Sequence, residues 1–257
     1  MVDEQAIAYG AALRSTDVEF VATRLYRYNT APVTRRWLAS LPDGPAVERF
    51  LGIEPGGRAR AMLDSRWRPV VFRDRDRGWS GWAATGEQAT ARGGRRRPLN
   101  KVYVSPMPGE SGAAVHAVVE SLTGAGIPVS LKLACTARGL LRPDKMMLYC
   151  ADEATRRLVV DRLRGPLRGM RPQGVPFTVV VDPAQPGVSW GLDPPTADDA
   201  DSHSWRSWIV AQIAAALVEA QQEGLGERAA ASFARARLSA AGVGADWRPV
   251  QGLWSMP

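Results

Sequence analysis

Lysine, histidine and cysteine are scarce in this chain, and long apolar runs are missing. Of 257 residues, two are cysteine and two are histidine, and among 33 basic side chains lysine stands only at Lys101, Lys132 and Lys145. Cys135 and Cys150 belong to no CxxC motif, and with two histidines they cannot make a convincing zinc set at this spacing. Neither a metal nor a cofactor is expected. Without secretory context the thiols are expected to be reduced and buried, and because each closes a strand of the central stretch, the two can lie near each other. The start, MVDEQAIAYGAAL, carries acids where a secretion signal needs bases, and no apolar run is long enough to span a bilayer. A cytoplasmic protein without a membrane partner is the expectation.

What is present is enough apolar material, 45% of the residues, to bury a full core. A formal net charge of +7 favours acidic partners such as nucleic acid, anionic membrane or a phosphorylated substrate, without choosing among them. The scarcity of lysine sharpens this. In a chain that meets its need for positive charge with arginine, the few lysines are candidates for positions that require a compact, titratable amine, although codon bias accounts for the count equally well until geometry is considered. All three lie between Asn100 and Cys150, the stretch with the clearest strand and helix periods. Lys101 to Val104, Ser130 to Leu133 and Lys145 to Tyr149 alternate polar and apolar positions, the period of a half-buried strand. One face then carries Val102, Val104, Leu131, Leu133, Met146 and Leu148. The other carries Lys101, Tyr103, Ser130, Lys132, Lys145 and Tyr149, a surface suited to hold an anion.

The rest of the chain is read around that stretch. Residues 3–28 read as a helix that Ser15-Thr16-Asp17 can break, and 34–63 as two short helical pieces, which gives an N-terminal helical region over 1–64. An α+β domain with C-terminal helices follows over 65–257. Within it, Arg68 to Phe72 and Trp79 to Ala84 suggest a strand pair around a charged turn, and the basic run from Glu87 to Arg97 reads as a solvated loop. The spacing predicts a strand over 100–105, a helix from Ser111 striped by Val115, Val118, Val119 and Leu122, strands over 129–135 and 145–150, a helix capped by Asp152, and a fourth strand over 177–182. The order βαββαβ is the split-βαβ, ferredoxin-like arrangement, with both helices on the apolar face of the sheet. Residues 186–195 are too rich in turn formers to predict regular structure. A strong helix then carries Trp205, Trp208, Ile209, Gln212, Ile213, Ala216, Leu217 and Ala220 on one stripe. His203 and Arg206 share a face in its first turn, where free N–H groups favour an anion. A last helix spans about 227–240, before an extended tail.

The ordered set KVYVSP, GIPVSLKLA, LRPDKMMLYC and PFTVVVDP, followed by DPP and an Ala-rich helix, resembles the Hop A-type effector family over about residues 68–222. Its members include effectors injected by plant pathogens and lyases of ribosomal peptide natural product clusters. In thioamitide and class V lanthipeptide pathways such lyases act with an aminoglycoside-phosphotransferase-like kinase, which phosphorylates Ser or Thr of a precursor peptide. The lyase then removes the phosphate to leave dehydroalanine or dehydrobutyrine. The resemblance implies that Lys132 and the strip Arg142-Pro143-Asp144-Lys145 match family pattern positions. Where the family tends to have Ser-Phe-Gly before the tail helix, this chain has Ser202-His203-Ser204.

Such an elimination needs a base for the α-proton, cations for the leaving phosphate and an acid to protonate it. Lys132 is the candidate base, since crowding by Lys101, Arg142 and Lys145 together with partial burial favours its neutral amine. Arg142 and Arg206 suit phosphate as planar forks, with Lys101 and Lys145 as point charges. His203 is the candidate acid, and Tyr103 or Tyr149 can donate to a phosphate oxygen or take the acid's place. Each role has a plainer competitor. Arg142 and Asp144 can simply pair in the turn, the tyrosines are more simply core aromatics with hydroxyls at the rim, His203 stands among acids at a helix start, and His116 reads as structural. Two rival readings remain: an RNA-recognition module, disfavoured by the lack of glycine and aromatics in KMMLYC, and a non-catalytic partner that holds the kinase or a leader peptide.

Overall fold

The computed structural model describes residues 2–71, 78–85, 100–194 and 204–250. The chain divides into two compact units, Met1–Asn29 with Pro176–Val179 and Gly191–Pro257, and Thr30–Val175 with Val180–Trp190. This division follows a different line from the 1–64 and 65–257 partition suggested by the sequence. Among the described residues no helix is long and apolar enough to cross a membrane.

The elements run α1 (Val2–Ala12), α2 (Val18–Tyr26), α3 (Arg35–Ser40), α4 (Gly44–Leu51), α5 (Arg58–Arg66), β1 (Trp67–Pro69), β2 (Trp79–Ala84), β3 (Asn100–Val104), α6 (Ser111–Ala125), β4 (Val129–Ala134), α7 (Ala137–Leu140), β5 (Met146–Cys150), α8 (Glu153–Arg164), β6 (Val179–Val180), β7 (Val188–Leu192), α9 (Trp205–Gln222) and α10 (Glu227–Ala240). The fold is α+β, with one seven-stranded antiparallel sheet in the order β1-β2-β4-β5-β3-β7-β6. The break in the N-terminal helix falls where Asp17 accepts a hydrogen bond from the Phe20 backbone N–H at 3.0 Å and so starts α2 afresh. Asp152 caps α8 in the same way through Thr155 N–H at 2.7 Å.

In the unit that holds Thr30–Val175, the apolar sheet face meets α6 and α8. Val102, Leu131, Leu133, Met146 and Leu148 pack in one buried cluster with Val115, Val118, Val119 and Leu122 of α6 and Val159, Val160 and Leu163 of α8. Both helices therefore cover one face, as the alternation predicts. β1 and β2 form the expected pair, with Trp67 opposite Ala84, and β2 then joins β4; the Phe72 end of the expected strand lies outside the described residues.

Two expectations change. The strand expected over 177–182 shrinks to Val179–Val180, because Phe177 takes a positive φ of 64° that ends an extended run. The stretch expected to be irregular supplies β7 instead, which lies between β3 and β6. Its turn formers make the hairpin between β6 and β7, with Gln185 N–H donating to Asp182 O at 2.8 Å and Val181 N–H to Val188 O at 3.2 Å. The cysteines also part. β4 and β5 are antiparallel with Val129 opposite Cys150, so Cys135, beyond the other end of β4, lies six residues or roughly 20 Å away along the strand. Both thiols are buried and unbridged, and burial raises the pKa of Cys135.

In the other unit, α9 packs against α2 and α10, and α1 against α2 and α10. Trp205, Ile209, Ile213, Ala216, Leu217 and Ala220 of the expected stripe are buried, and Gln212, its one polar member, is exposed. Arg206, Val210, Ala214 and Val218 are buried as well, so α9 is covered on more than one side.

Candidate functional site

The register of the central strands settles which side chains share a face. Opposite residues run Gly81, Lys132, Met147, Tyr103 in one row and Ala83, Ser130, Tyr149, Lys101 in the next. Residues directly opposite one another point to the same side of a sheet. Lys145 extends the set, since its carbonyl accepts from Ala134 N–H at 2.9 Å and so continues the ladder by one residue. Lys101, Tyr103, Ser130, Lys132, Lys145 and Tyr149 thus lie on the face opposite α6 and α8.

That face is covered. Lys101 is 6% exposed, Lys132 8%, Tyr103 2% and Lys145 1%. Surface remains at Trp79, Arg142, Met147 and Tyr149, which are half-buried. A buried ammonium is costly unless polar or aromatic groups replace its water. Lys101 has its Nζ 5.4 Å from the centre of the Tyr149 ring, and Lys132 has its Nζ 4.9 Å from that of Trp79. Arg142 approaches the same indole, its Cζ 5.5 Å from the centre, while its Nε and Nη2 each donate to Asp144 at 2.8 Å. The Arg142 fork is therefore matched to the carboxylate of buried Asp144 in the turn before β5.

Lys145 is held differently. Its Nζ donates to Pro106 O at 2.9 Å and to Gln173 Oε1, and the Gln173 amide is oriented by donating through Nε2 to Leu141 O at 2.9 Å. Burial pushes the Lys145 amine down to about 7, against the opposing pull of the Asp144 charge. A neutral amine has two N–H groups, as many as the acceptors it meets here. Lys145 thus joins the turn after β3 to the loop after α8.

Of the two candidates from the tail, the structure describes Arg206. His203 lies outside the described residues. Arg206, in the unit that contains α9, is 1% exposed; its Nε donates to Pro176 O at 3.3 Å and its Nη2 to Tyr26 O at 2.8 Å, with Cζ 4.5 Å from the Tyr26 ring centre. These bonds tie three segments of that unit together. At the start of α9, Ser204 Oγ accepts from Ser207 N–H at 3.3 Å and Asp193 accepts from Trp205 N–H at 2.8 Å, so the chain's own oxygens meet N–H groups on which an anion was expected. His116 is on α6, 3.9 Å from Glu120 one turn on, a surface pairing.

Sequence reasoning passed over two residues of the lysine face. Trp79 opens β2, and nothing in the sequence places β2 beside β4. Gln173 sits in a Pro- and Gly-rich loop without period. The signal available for Trp79 was the small residue at every second position after it, Gly81 and Ala83, which leaves room on its face of the strand.

No protein-family model matches the chain, and no curated protein matches it. Among solved structures it is similar to an effector protein from Pseudomonas syringae pv. tomato strain DC3000, with 11% identity, 96% of each chain covered and a TM-score of 0.56. It is also similar to an effector protein from Pseudomonas syringae pv. syringae strain 61, with 13% identity, 97% of this chain and 95% of that one covered, and a TM-score of 0.52. At such identities the likeness is one of fold, and over nearly its whole length this chain has the fold of those bacterial effector proteins.

Proposed function

We propose that the protein is a phosphoserine/phosphothreonine lyase. It eliminates phosphate from a precursor peptide that an aminoglycoside-phosphotransferase-like kinase has phosphorylated, and leaves dehydroalanine or dehydrobutyrine. The observation that carries this reading is the row of Lys132 and Tyr103, with Lys101 and Tyr149 in the next row, on one face of β3, β4 and β5. The motif resemblance over residues 68–222 and the effector fold lend it support.

In this reading the Lys132 amine takes the Cα proton of the phosphorylated residue. The C–H electron pair becomes the second bond between Cα and Cβ, the Cβ–O bond breaks, and the phosphate leaves with the Cβ–O electron pair. Lys101 and Tyr103 donate to its oxygens, and the proton now on Lys132 is available to the leaving group. Arg142 serves as a fork only where phosphate replaces Asp144 at the guanidinium, an exchange of one bidentate oxyanion for another. Arg206 has no part in this scheme, since its guanidinium holds Pro176 and Tyr26. No step is assigned to His203. An RNA-binding reading needs the Tyr103 ring face at the surface for stacking, and Tyr103 is 2% exposed; the elimination needs only its hydroxyl to reach the substrate.

The test is turnover of a kinase-phosphorylated precursor peptide, followed by mass spectrometry. The wild-type protein should convert phosphopeptide to the dehydrated product, and Lys132→Met should leave the phosphate in place while the fold, checked by circular dichroism, persists. Undiminished dehydration by Lys132→Met would remove Lys132 as base. Failure of the wild-type protein on phosphopeptides, with stable binding of the kinase, would instead favour a non-catalytic partner.

A further inference from the structure

Trp79 brings the strand lysine and the turn arginine of the lysine face together. In the β2–β4 register Trp79 stands opposite Ala134, and Gly81 stands opposite Lys132. An aromatic ring and a long side chain can reach each other diagonally across a strand pair, and small residues directly opposite leave room for the contact. Both are small here. In this arrangement Lys132 Nζ stands 4.9 Å from the ring centre. Arg142 meets the same ring at 5.5 Å while its fork is fixed on Asp144. The contacts run Lys132, Trp79, Arg142, Asp144, and they link β4 to the turn before β5 through one indole.

We propose that Trp79 is a positioning residue for Lys132: its indole face fixes where the Lys132 amine points and how near it stands to the Arg142–Asp144 pair. The value of this to the site rests on the lyase reading, because a base must stand at one place relative to the group that receives the phosphate. The positioning itself does not. A flexible four-carbon stem has many rotamers, and a ring contact of this kind selects among them. Among the described residues, the ionisable groups that share the face with Lys132 include Lys101 and Tyr103 from β3 and Lys145 and Tyr149 from β5 and its approach, with the Arg142–Asp144 pair from the turn beside them.

The chain's three lysines make the test direct. Protein labelled with 13C at lysine Cε gives three cross-peaks, assigned by single Lys→Arg variants. Nuclei over an aromatic ring are shifted upfield, so the Lys132 signal should lie upfield of that of Lys145, whose amine bonds to Pro106 and Gln173. In Trp79→Leu the Lys132 signal should move back while that of Lys145 stays, which reports an intact sheet; in Trp79→Phe the upfield shift should partly persist. On a phosphopeptide, Trp79→Leu should lose about tenfold in kcat, the factor that corresponds to about 1.4 kcal/mol of lost contact, and Trp79→Phe should recover most of it. A Lys132 signal unmoved in Trp79→Leu would overturn the proposal. So would a kcat equally low in both variants while the signal moves as expected. If no phosphopeptide is turned over, the signals alone decide: a shift that depends on the ring upholds the positioning while the lyase reading falls.

Discussion

At the scale of the residue, Lys145 carries a pH dependence whose sign can be worked out. Its pKa is pushed from 10.5 to about 7 by burial. Between those values the unfolded chain binds a proton that the folded protein does not, so stability rises with pH across this window, by up to about 1.4 kcal/mol per pH unit. Below about 7 the folded protein carries a buried ammonium and this group costs most; above the unfolded value the cost is gone. A Lys145→Met variant lacks the group and leaves Pro106 O and Gln173 Oε1 with one partner fewer, an offset that does not change with pH in this range. Urea unfolding of both proteins at several pH values from 7 to 10 should therefore show the wild type gaining on the variant as pH rises. A constant difference would mean that Lys145 stays charged in the fold, and the match between two acceptors and a neutral amine would then be accidental.

At the scale of the element, the informative place is the region around β7, where turn formers concealed a strand. Gly191 lies within it, and an added Cβ would stand 2.5 Å from Cδ1 and 2.6 Å from Cγ of Trp205 in the same unit. The Trp205 ring cannot yield easily, since its Nε1 donates to Phe177 O at 2.7 Å and the side chain is fully buried. Gly191→Ala should cost about 1–3 kcal/mol, read as a lower Tm in calorimetry, whereas a change within a few tenths would show that Trp205 has room to shift. The same region marks how far the sequence was legible. The lysine and apolar faces of β3, β4 and β5 followed from strict alternation, and the helices α6 and α8 from their stripes and caps, because those signals are local. The hairpin of β6 and β7 was not legible, since Pro183, Pro186 and Gly187 read alike in a loop and in a turn between paired strands. The site divided on the same principle. Side chains on alternating strands could be assigned to a face, but the engagement of Arg142 by Asp144, of Arg206 by Pro176 and Tyr26, and of Lys132 by Trp79 depends on packing between segments distant in sequence or on the shape of a turn.

At the scale of the whole molecule, one compact unit is assembled from the first residues, the last residues and the four-residue strap Pro176–Val179. The strap has little regular structure of its own, and Phe177 sits at a positive φ that a bulky side chain seldom adopts. What holds it there comes from both ends of the chain. Buried Asp3 accepts from Phe177 N–H at 2.6 Å, Trp205 donates to its carbonyl, Arg206 reaches Pro176 O, and the Trp247 ring lies 5.2 Å from the Phe177 ring, edge to face. Burial raises the Asp3 pKa, and the bonds from Phe177 N–H and Trp247 oppose that rise by favouring the carboxylate. Removing the acceptor leaves a buried N–H unpaired at a strained residue, so Asp3→Ala should cost about 1–3 kcal/mol. Hydrogen exchange can tell where this cost falls. The amides of Phe177, Thr178 and Val179 and those of α9 should exchange faster in Asp3→Ala than in the wild type, because α9 and the strap share the Trp205 and Arg206 bonds that Asp3 braces. Unchanged exchange at Phe177 would show that the strap holds its conformation without the N-terminal helix, and the closure of this unit by both ends of the chain would have to be attributed to Trp205 and Arg206 alone.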